Sequence, residues 1–117
     1  MDSILTSIKK MLGITEEYEH FDTDLIMHIN SVFMILKQIG VGPKEGFAIK
    51  SKEETWKEFI PDEDKIELVK SYMYLKCKLI FDPPLGSTVM ECMNRQIQEF
   101  EWRLNCEVDP GKAKEEV

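Results

Sequence analysis

The chain has 117 residues, of which 43% are hydrophobic and 32% are charged, and its formal net charge at pH 7 is −7. This is the composition of one soluble globular domain, and no apolar run approaches the roughly 20 residues that a membrane-spanning helix needs. The acidic balance argues against ordinary DNA or RNA binding because phosphates are repelled, although it suits a protein that surrounds DNA without adhering to it.

The first predicted helix spans Ser3–Leu12 and ends before Gly13, a residue suited to a left-handed helix cap. Its apolar residues recur at helical spacing on one face. The lysines follow the apolar residues, which reverses the order found in a signal peptide. We therefore expect the protein to remain in the compartment where it is synthesised.

Asp22 or Thr23 is predicted to cap the second helix, which runs to about Ile39. A nearly continuous apolar stripe marks its core-facing side: Leu25, Ile26, Ile29, Val32, Phe33, Leu36 and Ile39. The helix ends at Gly40–Pro43. The Gly-x-Gly in this segment resembles a phosphate-binding loop, but no strand precedes it and no helix N-terminus follows it, so a helix stop is favoured.

A long loop separates the second and third main helices. It is predicted to contain one short strand, Phe47–Ile49, and then a capping box at Ser51–Glu54. The capping box predicts a helix of one or two turns that carries Trp56 and Phe59. Pro61 ends this short helix.

The next part of the chain predicts a helical hairpin. A third main helix from Asp62 to Phe81 is followed by two prolines, which cannot continue it, and Ser87 begins a fourth helix that runs to about Cys106. The third helix has two adjacent apolar stripes, one formed by Ile66, Val69, Met73, Cys77 and Ile80 and the other by Leu68, Tyr72, Leu75 and Leu79. A helix this apolar is central or faces a second partner. The fourth helix has one core stripe: Val89, Met93, Ile97, Phe100 and Leu104.

These patterns predict an all-α fold, a small helical bundle of three to four main helices. Residues 1–106 form its single domain. Residues 107–117 are polar, contain proline and glycine, and are predicted to be a flexible C-terminal tail.

No catalytic, cofactor-binding or metal-binding residue is predicted. The acidic cluster Asp62–Asp64 fits the first turn of a helix, where the helix dipole favours negative charge. His20 and His28 have no nucleophile or ligand partner at a useful spacing, and no hydrolase, zinc or nucleotide-binding motif occurs. The protein is therefore not expected to be an enzyme or to carry a cofactor.

The three cysteines lack an export context, so a disulfide framework is not expected. Cys77 and Cys92 flank the proline turn and lie where they could face each other across the hairpin. Packed free thiols are favoured over a redox pair. With Cys106 they also lack the close spacing of a zinc site.

Contacts with other proteins are expected instead. Trp56 and Trp102 are candidates because aromatic side chains are enriched at interfaces, with burial in the core as the alternative for each. The full set of candidate interface residues is Phe47, Ile49, Trp56, Phe59, Trp102, Val108 and Val117. The segments Gly42–Ser51 and Glu107–Val117 are expected to be mobile in the free chain and to become ordered on assembly, because both lack the apolar side chains needed to anchor them.

The order of several segments resembles the head–tail connector proteins of tailed bacteriophages and prophages, also called head-completion or adaptor proteins. The segments are Asp22–Ile26, Asn30-Ser31, Gly40–Pro43 and the hairpin Tyr72–Leu104. Lys78–Pro84 and Gln96–Leu104 carry most of the specificity. The resemblance covers about Asp22–Leu104.

The resemblance implies a helical bundle that forms a ring, commonly a dodecamer, under the portal protein of a filled capsid. Double-stranded DNA passes through the ring without specific binding, and a tail-completion or tail protein attaches below. The protein would lie in the virion, and in the host bacterial cytoplasm before assembly, with no membrane partner. The alternative left open is a small helical protein-interaction or regulatory protein of the antitoxin-like kind. An adaptor should form rings, whereas a regulator should be a monomer or dimer.

Overall fold

The computed structural model describes residues 3–81, 83 and 85–108, and five helices lie within them. In chain order they are α1 (Ile4–Met11), α2 (Asp22–Ile39), α3 (Trp56–Phe59), α4 (Glu63–Phe81) and α5 (Ser87–Val108). The predicted all-α bundle is confirmed. Because α5 continues to Val108, the first two residues of the predicted tail belong to a helix, and residues 109–117 lie outside the described part of the chain.

The bundle is built on the hairpin of α4 and α5. The two helices pack along their length, and α2 lies against both of them. Tyr72 contacts Glu101 near the middle of the hairpin, while Asp62 and Leu104 line one groove at its open end, so α4 and α5 are antiparallel. Helix α1 packs on α2 and α4, and α3 packs on α4.

The core lies where these helices meet. It contains the predicted stripe of α2, most of both α4 stripes and the α5 stripe from Met93 onward. Ile80 and Val89 were predicted to be core residues, but both are exposed. They lie beside the turn of the hairpin, in the last turn of α4 and the first turn of α5, where the bundle ends and no helix covers them.

The end of α2 confirms the helix-stop interpretation. Gly40 adopts the left-handed conformation (φ 101°), and its N–H donates to the carbonyls of Leu36 and Lys37. This is the usual way in which a glycine satisfies the last carbonyls of a helix. The Gly-x-Gly segment is therefore used to end α2.

The loop after α2 differs from the prediction in two ways. Phe47–Ile49 is not a strand; instead, the Ile49 N–H donates to Asn30 Oδ1 (2.8 Å) and Asn30 Nδ2 donates to the Ile49 carbonyl (3.0 Å). The premise that Gly42–Ser51 lacks apolar anchors is also wrong. Ile49 is buried, and the Phe47 ring packs 5.2 Å from the Phe33 ring.

The predicted capping box is displaced by one turn. Ser51 N–H and Oγ donate to Glu54 (3.2 and 3.3 Å), but no helix follows this pair. Helix α3 begins at Trp56 after a second box, in which Thr55 N–H donates to the Glu58 carboxylate (2.9 Å). The Ser51–Glu54 box instead closes a turn of the loop next to α1.

A buried lysine joins α1 to α2. Lys9 is only 2% exposed; its Nζ donates to the Glu16 carbonyl (2.9 Å) and lies 2.8 Å from Asp22 Oδ1. Asp22 was predicted as a helix cap, but the N-cap position of α2 is Phe21 and its side chain makes no cap bond. The Asp22 carboxylate serves the ion pair, because a buried ammonium needs a nearby negative charge.

Replacing Lys9 with methionine is expected to lower the free energy of unfolding by about 2 kcal/mol. Breaking a buried ion pair costs roughly 3–5 kcal/mol, and the 25% exposure of the Asp22 side chain reduces that penalty. Denaturant unfolding measures the change. Lys10→Met, on the exposed side of α1, is the control, and Asp22→Asn should restore part of the loss. Equal stability of Lys9→Met and the parent chain would contradict the role of this pair.

Candidate protein-contact surfaces

Three of the candidate residues lie in the core. Ile49, Trp56 and Phe59 are all buried. Trp56 Nε1 donates to Ser7 Oγ (3.2 Å), and the Phe59 ring lies 4.7 Å from that of Phe33. These three side chains anchor the loop and α3 to the helical bundle. For Trp56 the core alternative is the one observed.

Trp102 is the candidate that reaches the surface. Its side chain on α5 is 50% exposed and borders a groove of about 460 Å³ between α4 and α5. The remaining lining residues are Asp64, Glu67, Leu68, Ser71, Arg103 and Cys106. We call this surface the Trp102 groove. Phe47 is half-buried against the core. The remaining two candidates cannot be placed, because the Val108 side chain and Val117 lie outside the described residues.

The Trp102 groove is acidic at one end. Arg103 Nη2 lies 2.8 Å from Glu99 Oε1, one turn earlier on α5, as an i,i+4 ion pair. Its charge is therefore shared with a carboxylate outside the groove. Asp64 and Glu67 supply the negative charge along the α4 side. The groove thus combines an aromatic surface with an acidic border.

The outer face of α2 carries two exposed methionines. Met27 is 64% exposed and Met34 is 66% exposed. Ser31 lies between them on the same face, and its hydroxyl donates to the Met27 carbonyl (3.0 Å). We call this surface the methionine stripe. This stripe was not predicted, because the core-facing stripe of α2 is longer and dominates its apolar pattern. The i, i+7 spacing of the two methionines is the signal in the sequence.

The closed end of the hairpin is a third apolar surface. Ile80, Leu85 and Val89 are exposed there. Beneath them the Phe81 ring packs edge-on against Phe21 and His28, at centroid distances of 5.9 and 5.3 Å. These exposed apolar side chains make the closed end of the hairpin a candidate surface for contact with another protein.

A comparison with protein families decides the identity. The model of a family described as phage connector protein matches residues 4–111. The chain belongs to the phage connector protein family. No curated protein and no solved structure gave a match. The resemblance predicted from Asp22–Leu104 is confirmed, and the family match extends it to α1. The connector protein has a structural role in the virion, with other head or tail proteins as partners.

Two groups of the connector protein with raised pKa values, Cys77 and Tyr72, lie within its fold. Cys77 is a free thiol in the core, and burial raises its pKa to about 12. Tyr72 is buried and donates to Glu101 Oε2 (2.7 Å) across the hairpin. Burial and the Glu101 carboxylate both raise the pKa of Tyr72, so the phenol stays protonated and keeps this bond. Tyr72 therefore joins α4 to α5.

The acidic and histidine side chains also have structural roles. Asp62 Oδ1 accepts from the N–H of Asp64 (3.0 Å), so it caps α4 as predicted. His20 packs edge-on against Phe21 at 5.0 Å. Among the described residues, no group of three or more His, Cys, Asp or Glu side chains is placed to hold a metal ion. In the same part of the chain, no helix of the connector protein has the length and apolar character needed to cross a membrane.

Proposed function

We propose that this protein is a ring-forming subunit of the phage head–tail joint. The ring docks under the portal protein, a tail-completion or tail protein attaches below, and double-stranded DNA passes through the centre. The family match over residues 4–111 carries this proposal. A dodecamer is the ring size that the family resemblance favours.

The distribution of exposed apolar side chains supports a subunit with several neighbours. The methionine stripe lies on α2, the Trp102 groove lies towards the open end of the α4–α5 hairpin, and the third surface lies at its closed end. A ring subunit needs two lateral contacts and further contacts above and below. Separate apolar surfaces on one small bundle meet that need.

The net charge of −7 supports a channel that does not hold DNA. Like charges repel, so an acidic wall keeps a sliding polyanion from adhering. We propose that the protein contacts DNA without sequence-specific binding, is not an enzyme and uses no cofactor. The antitoxin-like alternative has no observation in its favour. Before assembly the subunits would lie in the host bacterial cytoplasm, and afterwards in the virion.

Head–tail joining measures this function directly. Phage particles made without the protein are expected to be DNA-filled heads and separate tails. Adding the purified chain should restore joined particles in electron micrographs and raise the infectious titre. Heads and tails mixed without the protein are the control. Normal tail attachment in its absence would contradict the proposal.

Truncation after Val108 is expected to leave the fold intact and weaken incorporation into heads. Helix α5 ends at Val108, so removal of residues 109–117 spares every described helix. Circular dichroism and thermal unfolding should match those of the full chain, while the amount bound to heads falls. If the truncated and full chains bind heads equally, the last nine residues have no part in assembly.

A further inference from the structure

We propose that neighbouring subunits associate through two different surfaces, with the methionine stripe of one copy in the Trp102 groove of the next. This inference rests on the proposed function for its setting, the ring. The contact itself is a property of the chain and is testable separately. The occupant of the groove is thus a second copy of this protein.

The two surfaces lie on opposite sides of the subunit. Helix α2 packs its buried face, which includes Ile29 and Leu36, against both α4 and α5. Met27 and Met34 point away from that face and are exposed. The Trp102 groove is lined by α4 and α5 alone, with no residue from α2. The hairpin therefore separates the stripe from the groove.

Complementary surfaces on opposite sides produce a repeating contact. Such a heterologous interface gives a closed ring when the rotation between copies closes, and an open filament otherwise. A two-fold contact would instead pair one surface with itself and stop at a dimer. The placement of the stripe and the groove accordingly favours the ring over the dimer.

The chemistry of the two surfaces is complementary. Methionine side chains are flexible and make favourable sulfur–aromatic contacts, and tryptophan is a frequent centre of interface energy. Met34 is 66% exposed on α2, and Trp102 is 50% exposed at the groove. Burying both in one contact removes apolar surface from water on each partner.

Charge selects this chain as the occupant. Lys37 is exposed on α2 one turn beyond Met34, about 4.5 Å farther along the helix axis. The Tyr72–Glu101 bond places Trp102 level with Ser71, so Glu67 lies roughly 6 Å along α4 from that level. A neighbouring copy with Met34 over Trp102 brings Lys37 to the acidic border of the groove. Glu67 has room for this partner, since its existing contact with Lys70 is long at 3.9 Å.

Disulfide trapping tests the contact, because Ser71 lines the groove at the level of Trp102. Met34→Cys and Ser71→Cys are made in a chain that also carries Cys92→Ser and Cys106→Ser, since neither of those thiols is buried and both would react elsewhere. Cys77 is buried with a raised pKa and is a poor reactant. Mild oxidation should give a ladder of dimers, trimers and larger species on a non-reducing gel. Omitting Ser71→Cys should abolish the ladder, and Lys10→Cys in place of Met34→Cys should not produce one.

A charge exchange tests the register. Lys37→Glu should reduce the ladder severalfold at low salt, because it places like charges together. Adding Glu67→Lys to the same chain should restore it. Restoration is not expected if a portal segment or residues 109–117 fill the groove, because neither contains position 37. Failure of the exchange to restore the ladder would overturn the proposed register.

The trapping is performed on the concentrated chain and on heads that have incorporated it. Dimers without larger species would overturn the contact between stripe and groove in favour of a two-fold contact. Incorporation into heads without a disulfide between positions 34 and 71 would overturn this inference and leave the proposed function standing. A ladder from a chain that does not join heads to tails would support the subunit contact and overturn the proposed function.

Discussion

Replacing Ile29 with alanine is expected to lower the free energy of unfolding by about 2–5 kcal/mol. Ile29 is fully buried in the middle of α2, the helix that packs against both arms of the hairpin. Truncation leaves a cavity that the surrounding helices cannot fill without moving, so lost contacts add to the lost burial. Denaturant unfolding monitored by circular dichroism measures the change.

The control for Ile29 lies on the same helix. Gln38→Ala replaces an exposed side chain, and changes of this kind usually stay within about 0.5 kcal/mol. Ile97→Ala on α5 should behave like Ile29→Ala, because Ile97 is also buried. If Ile29→Ala and Gln38→Ala unfold at the same denaturant concentration, the three-helix core described above is incorrect.

Replacing Gly42 with alanine is expected to destabilise the protein by roughly 2–4 kcal/mol, the sum of backbone strain and overpacking. Gly42 has φ +92°, a conformation that other residues rarely adopt, and a Cβ there would overlap the Phe59 ring. That ring is held between Phe33 and Phe47. It cannot move aside without disturbing the packing that anchors the loop.

Gly13 separates the two causes. Its φ of +82° is similar, but a Cβ at this position has nothing within 4 Å. Gly13→Ala should therefore show the backbone strain alone, about 1 kcal/mol. The difference in midpoint between the two variants measures the overlap with Phe59. An equal loss of stability in both would mean that the ring yields freely.

The long helices could be predicted because their signals are local. The apolar stripe of α2, its glycine stop and the two prolines after Phe81 act within a few residues of the positions they determine. Ile80 and Val89 were assigned to the core because periodicity continues to the end of a helix. The apolar periodicity of a helix does not show where the neighbouring helices stop covering that helix.

The loop and the short helix were harder because their anchors are distant in sequence. The Asn30 side chain that holds Ile49 lies 19 residues away. Two Ser/Thr-x-x-Glu boxes follow one another, Ser51–Glu54 and Thr55–Glu58. The second box precedes a helix whose first residue, Trp56, donates to Ser7 of α1, 49 residues away in sequence. Local pattern alone cannot choose between equivalent boxes.

The contact surfaces were only partly predictable. Trp56 and Trp102 are the same residue type, yet one is buried and the other half exposed, because their helices face different neighbours. Lys9 was not singled out, since lysines are rarely buried without a partner, and its partner Asp22 is joined to it only by the fold. Burial of a polar side chain therefore depends on which elements meet.

Cryo-electron microscopy of the phage neck would show whether this protein forms the head–tail joint. We expect a ring of copies of this helical bundle between the portal and the tail, with α2 of each copy against the α4–α5 groove of the next. An isolated portal bound to the purified chain should show the same ring. A neck in which the density below the portal contains no copy of this bundle would contradict the assignment of the protein to the head–tail joint.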